Sequence, residues 1–281
     1  MKRNKKLYTI AVIAFVLFSM IYQYMTEPDM NTGEFLEVHF LDVGQADSIF
    51  IKKGSEAMII DAGNNKDGKF VVDYLREQGV KTLKYAIGTH PHADHIGGLD
   101  DVIDNFDIET IIMPNKMANT KTFEEVLDSI ADKGLKITAP VVGDKYDLNG
   151  AQFTILAPNR ENYSSTNDYS IVIKLVNGSN SFLFTGDAEA LSEREMLENN
   201  IWALKSKVLK VGHHGSVTST SPEFLEAVNP EVAVISSGEG NTYGHPHEEI
   251  LEILEKKDIT ILRTDMLGTI VIKADGENIA Y

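Results

Sequence analysis

The stretch KYAIGTHPHADHIGGLD, residues 84–100, runs an apolar, strand-like segment straight into three histidines and an aspartate packed within six positions. A fold that accepts it must end a strand near His90 and gather the next side chains on one edge. His90 and His92, two apart in extended backbone, point the same way, and Asp94 and His95 turn in at the start of a following helix. That window can feed two metal ions. Neutral imidazoles with one or two carboxylates suit zinc first and manganese or iron next. The lack of any cysteine argues for an open catalytic site over a closed structural one.

Seven of the eight histidines fall into three clusters: His90, His92 and His95; His213 and His214; His245 and His247. His39, alone within a strand, reads as structural. SKVLKVG precedes His213, and SFLF precedes the TGD that ends at Asp187, so these side chains also lie on loops at strand ends, where sites are usually built. The opposing reading makes them separate surface histidines or outer hydrogen-bond partners. The crowding at 90–95 argues against it; for His214 and His247 both readings stay open.

Short apolar runs from Phe35 onward alternate with amphipathic segments. FLEVHFLD, DSIFIK and AMIID read as strands, and KFVVDYLREQG as a helix with Phe70, Val71, Tyr74 and Leu75 on one face and Gly79 at its end. Later strands follow at KYAIG, TIIMPN, FTILAP, SIVIKLV, SFLFTGD, KVLKVG, VAVISS, ITILRT and TIVIKA. Helices are expected at FEEVLDSIADKG, SEREMLENN, SPEFLEAV and HPHEEILEILEKK, with Ser221 before Pro222, and Pro246, as helix starts. No repeat of 20–50 residues interrupts this order. The reading is one α/β domain over 35–281, a polar linker over 26–34, and a separate N-terminal segment.

That segment is uncharged from Leu7 to Met25, behind Lys2, Arg3, Lys5 and Lys6. Its length approaches the ~20 residues that span a bilayer, and it offers no small-residue cleavage site. It reads as a single-pass anchor at 1–25, with the cations in the cytoplasm, Tyr8, Tyr22 and Tyr24 at the interfaces, and the domain outside the cell membrane; cleavage would make the protein secreted. The chain carries a net charge of −16, and the remainder is more acidic once those cations are set apart. With no run of lysine or arginine beyond the anchor, no stable nucleic-acid partner is expected, nor an obligate protein partner. A polyanionic substrate would have to be held mainly by bound metal.

THPHADH, IIDAG, FTGD and HHGS together resemble the metallo-β-lactamase superfamily of hydrolases. HFLDVGQADSIFI, KVGHHGS and SSGEGNTYGHP are similar to its subgroup containing the hydrolase domain of ComEC-type competence proteins and the choline-phosphate esterases that act on teichoic acid. The resemblance implies an α/β fold, an αββα metallo-β-lactamase sandwich, with two divalent ions, zinc or else manganese, at one edge. It assigns His90 and His92 to the first metal, Asp94, His95 and His213 to the second, and Asp187 to both. Asp61 would support the metal loop, while Asp42 and Asp47 read as structural or rim residues. Many members place a further ligating histidine between the first motif and TGD. This chain has none between His95 and His213, which leaves the first metal a ligand short, with Asn167 of NDYS in that place as a water-holding residue.

The same resemblance gives Asp94 the task of orienting the attacking hydroxide and makes His245 the expected proton donor, ahead of His214 and Tyr243. Asn241, Tyr243 and Ser216 are the expected substrate contacts. The leading expectation is hydrolysis of a phosphoester or phosphodiester in teichoic acid, nucleic acid or a phospholipid head group. The alternative is a carboxylic ester, lactone, thioester or β-lactam, and a third reading is a tethered binding module that has lost its chemistry. The cell-wall-binding repeats of the esterases and the many membrane helices of the competence proteins are both absent, so neither exact activity transfers.

Overall fold

The computed structural model describes residues 34–281. Two sheets face each other. From edge to edge the first runs Ile279–Ala280, Ile270–Ala274, Leu36–Phe40, Ser48–Lys53, Glu56–Ala62, Thr82–Ile87, Asp107–Ile112 and Ile137–Thr138. The second runs Thr260–Arg263, Val232–Ile235, Val208–Lys210, Asn180–Phe184, Val172–Asn177, Ala151–Ala157 and Lys145–Leu148. In each sheet a block of antiparallel hairpins passes into a block of parallel strands with helical crossovers.

Alternation along the strands explains the layering, because successive side chains point to opposite faces. Ile49, Ile51, Met58 and Ile60 of the first sheet meet Phe182, Phe184, Val208 and Val234 of the second in the central core. The residues between them point outward. Phe50, Ile59 and Ala86 pack beneath the helices Gly68–Glu77, Leu99–Asn105 and Lys121–Asp132, and Leu183, Leu209 and Ala233 beneath Ala190–Leu204, Pro222–Val228 and Glu248–Glu255. Each sheet therefore packs one face on the other sheet and most of its opposite face on helices, the αββα arrangement that the motifs implied.

The helix starts follow local chemistry. The Ser221 hydroxyl accepts from the Phe224 N–H, with Pro222 in the first turn, as expected. The Glu248 helix instead begins two residues after Pro246, with His247 at its N-cap. Phe70, expected on the apolar face of its helix, is exposed, and Val72 takes its place beside Val71 and Leu75. Among the described residues no helix is long and apolar enough to cross a membrane. The segment expected to anchor the chain lies outside them.

The glycine pair after His95 lets the metal loop lie against the rest of the first sheet. A Cβ at Gly97 would run into the backbone of Asn64 and Asn65, and one at Gly98 would stand 2.6 Å from the Ala62 carbonyl oxygen and the Gly68 Cα. Backbone cannot give way as a side chain can. Gly98→Ala should therefore cost on the order of 2 kcal/mol of stability through overpacking; chemical denaturation will show a lower midpoint, and an unchanged midpoint would contradict the close approach.

Candidate metal centre

The site lies where strands of both sheets end. His90 follows the Thr82–Ile87 strand, Asp187 follows Asn180–Phe184, and His213 and His214 follow Val208–Lys210. His90, His95, Asp187 and His214 are buried. Asp61, at the end of its own strand, organises the first loop: its Oδ1 accepts from the Thr89 N–H and its Oδ2 from the Thr89 hydroxyl, both at 2.7 Å, and His95 Nδ1 donates to Oδ2 at 2.8 Å. Asp61 thus ties Thr89 and His95 to the end of its own strand.

The hydrogen bonds decide which ring nitrogens face inward. His95 spends Nδ1–H on Asp61, and His214 spends Nδ1–H on the Ser236 carbonyl at 3.0 Å. The Thr89 hydroxyl, already donating to Asp61, can only accept from His90 Nδ1, at 3.2 Å. His213 Nδ1 faces the Thr218 hydroxyl at 3.0 Å and Glu189 at 3.6 Å. Each of these rings thus turns Nε2 inward, the nitrogen through which a metal ligand would bind.

Those atoms form two groups that share Asp187. On one side, His95 Nε2 lies 3.2 Å and His214 Nε2 3.7 Å from Asp187 Oδ1, and Asp94 Oδ2 lies 3.5 Å from His214 Nε2. On the other, His90 Nε2 and His213 Nε2 lie 3.9 and 3.7 Å from Asp187 Oδ2, and His92 Nδ1 stands 2.9 Å from His90 Nε2. The residues on the first side fit a cation: His95 Nε2, Asp187 Oδ1 and His214 Nε2 are buried without hydrogen-bond partners, and atoms of Asp94, His95, Asp187 and His214 all lie within 4.8 Å of one another. A second close group, Asp47, Asp61 and His95, is already spoken for, since His95 Nδ1 and Lys210 occupy its carboxylates.

The two adjacent histidines part company: His214 Nε2 lies beside Asp94 and Asp187 Oδ1, while His213 Nε2, expected with Asp94 and His95, lies by Asp187 Oδ2 on the His90 side. The cause is local backbone: His213 (φ 48°, ψ 48°) and His214 (φ 55°, ψ 22°) are both left-handed, which sends neighbouring imidazoles to different places. Asn167 lies in the expected place, its Nδ2 3.4 Å from His213 Nε2 and from Glu189 Oε1, with a buried, unpartnered Oδ1.

The expected rim residues divide. Tyr243 is exposed and stacks on His245 at 5.7 Å. Asn241 spends its amide within its own loop, donating to the Gly238 and His245 carbonyls and accepting from the Tyr243 and His245 N–H groups, so no donor is left for substrate. Ser216 is buried against Thr218 and shapes the turn. His247 accepts from the Val217 N–H, which favours its structural reading. Asp42 accepts from Gly44 in a turn, and His39 is buried against Tyr74, while Asp47 lies beneath the cluster, not on the rim.

Several participants went unnoticed in sequence. The Ser170 hydroxyl accepts from the Asp187 N–H at 3.0 Å and lies 3.3 Å from His90 Nδ1, tying the two halves of the site together. Gln45 fixes His245: its Oε1 accepts from the Gly238 N–H, so its Nε2 must donate to His245 Nδ1, at 3.2 Å, leaving Nε2–H as the imidazole donor. Burial, followed by the neighbouring His247, pulls the His245 pKa down to about 4.

Comparison with known proteins identifies the family of the fold. The metallo-β-lactamase superfamily model matches residues 41–239. The chain belongs to that superfamily. It is 32% identical over 252 residues to ComE operon protein 3 of Bacillus subtilis, covering 83% of this chain and 32% of the relative. It is 31% identical over 239 residues to Recombination protein 2 of Haemophilus influenzae, covering 83% of this chain and 28% of the relative. The chain thus spans about a third of the length of these relatives. Among solved structures, the metallo-β-lactamase fold protein YhfI from Bacillus subtilis superposes with a TM-score of 0.58 at 10% identity, over 85% of this chain and all of that one, a likeness of fold. Family and donor set together make the chain a metal-dependent hydrolase.

Charge sets a pH dependence for metal uptake. Burial opposes a proton on His95, but Asp187 and Asp61 outweigh it and hold its pKa well above the ordinary imidazole value; His214 is raised likewise, burial opposing and Asp187 and Asp47 prevailing. A ligand must be neutral, so an entering cation displaces these protons. Below the raised pKa values protons compete; as pH rises they leave. Zinc affinity at this side should therefore increase with pH, by up to about tenfold per unit for each proton displaced. Calorimetric titration in buffers of different ionisation enthalpy will register proton release, and pH-independent affinity would contradict it.

Proposed function

We propose that the protein hydrolyses phosphoester or phosphodiester bonds with two divalent cations, zinc or manganese. The observation that carries the reading is the division of the donors into two groups with Asp187 between them. His90, His92, Asp187 and His213 would hold one cation, and Asp94, His95, Asp187 and His214 the other. Such a pair supplies water activation near neutral pH and positive charge for the oxygens of a phosphoryl group.

The chain's own residues supply the rest. Asp94 is the partly exposed carboxylate of the cluster, and its free oxygen can accept a hydrogen bond from the attacking water and aim it. His245 Nε2–H can donate to a substrate oxygen, and the exposed Tyr243 ring beside it extends the binding surface. The relative from Haemophilus influenzae is named for recombination, which keeps DNA among the polymers to test. The net charge of −16 favours smaller phosphate head groups, of teichoic acid or phospholipid, over an extended nucleic acid. The apolar segment at 7–25 supports a membrane-tethered setting with the domain outside.

Bis-para-nitrophenyl phosphate should be turned over with added manganese or zinc, while nitrocefin and acyl lactones are not; the reverse preference would transfer the site to carboxyl or lactam chemistry. Asp187→Asn should lose bound metal and turnover together, and a fully loaded, fully active variant would sink the assignment. His245→Ala should keep its metal and lose about 10- to 100-fold in kcat/KM.

A further inference from the structure

Lys210 has no contact with solvent, yet it ends the apolar strand Val208–Lys210 and points between the sheets. Its Nζ lies 2.9 Å from Asp47 Oδ2 and donates to the Val211 carbonyl at 2.9 Å. Asp47 belongs to the first sheet, just before the Ser48–Lys53 strand, so the pair crosses the central core directly beneath the metal cluster. A lone buried lysine is costly. Its position calls for a role.

Asp47 lies against two groups of the same cluster. Its N–H donates to the Asp94 carbonyl at 3.0 Å, and its Oδ1, without a hydrogen-bond partner, stands 3.5 Å behind His214 Nδ1. Its carbonyl accepts from the Gly63 N–H, fixing it to the loop after Asp61. Lys210 meanwhile accepts the Thr185 hydroxyl on its carbonyl at 2.8 Å, two residues before Asp187. Among the described residues, neither Asp47 nor Lys210 makes a hydrogen bond or ion pair with His90, His92 or His213.

We propose that Asp47 and Lys210 are positioning residues for one cation only, the one that Asp94, His95, Asp187 and His214 would hold. Lys210 fixes and neutralises Asp47, and Asp47 sets Asp94 from the first sheet and His214 from the second at the spacing a shared cation requires. The cation on the His90 side is independent of the pair. This proposal rests on the two-cation reading above, and the experiment separates the two.

Zinc alone is titrated into the metal-stripped full chain by calorimetry, with bound metal counted by mass spectrometry. Wild type should take up two ions. Asp47→Asn, close to isosteric, should weaken one of the two at least tenfold and leave the other within about threefold. Lys210→Met should do the same, and if circular dichroism shows that it does not fold, Asp47→Asn alone decides. Cobalt substitution adds a spectroscopic reading: the absorption bands of one ion should shift or vanish in Asp47→Asn while those of the other persist. Equal weakening of both ions, or of neither, overturns the positioning role. A wild-type chain that binds fewer than two ions overturns the two-cation reading instead.

Discussion

Four carboxylates meet where the sheets end: Asp47, Asp61 and Asp187 fully buried, and Asp94 partly so. An ionised carboxylate removed from water costs several kcal/mol, roughly, unless it is paired and hydrogen-bonded. The fold answers each one differently. Asp61 takes three hydrogen bonds from Thr89 and His95, and Asp47 takes the ammonium of Lys210. Asp187 and Asp94 receive no such lasting partner from the chain. Burial works against ionised Asp187, yet His95 and His214 hold its pKa well below the usual carboxylate range. The positive charge that would replace those protons is a cation, and the inward-facing imidazole nitrogens await the same thing.

The constraint reaches into the frame around the site. His95 and His90 come from one sheet and Asp187, His213 and His214 from the other, so the site exists only while the two sheets are held in register. The central core of Phe182, Phe184, Ile49 and Ile51 supplies adhesion without direction. Direction comes from polar links across the seam: Lys210 to Asp47, Ser170 between His90 and Asp187, and Gln45 to His245 and Gly238. Each is short, buried or half-buried, and specific in which atom it engages.

Much of this was legible in the sequence. The period-two runs, the Ser221 and Pro222 start, the THPHADH window and the TGD aspartate all declare themselves because their signals are local. What escaped depends on tertiary contact. Asn241 and Ser216 look like free polar side chains in sequence, and only the folded loops show their hydrogen bonds spent on backbone and on Thr218. Asp47 in GQAD resembles a turn residue until the opposite sheet brings Lys210 against it. Lys210 itself hides in VLKV, where a lysine at a strand end ordinarily points to solvent.

The two adjacent histidines show the same limit most sharply. His213 and His214 are adjacent in sequence, and the turn that carries them, left-handed at both residues, leaves their Nε2 atoms 3.7 Å from opposite oxygens of Asp187. Such a backbone costs about 1–2 kcal/mol at each non-glycine position, and Gly215, also at positive φ, lets the chain leave the turn. The strain has a structural return. On the two-cation reading proposed above, a chain lacking a histidine between His95 and Asp187 would draw the missing donor from the residue next to an existing one, so a single turn would serve both halves of the site.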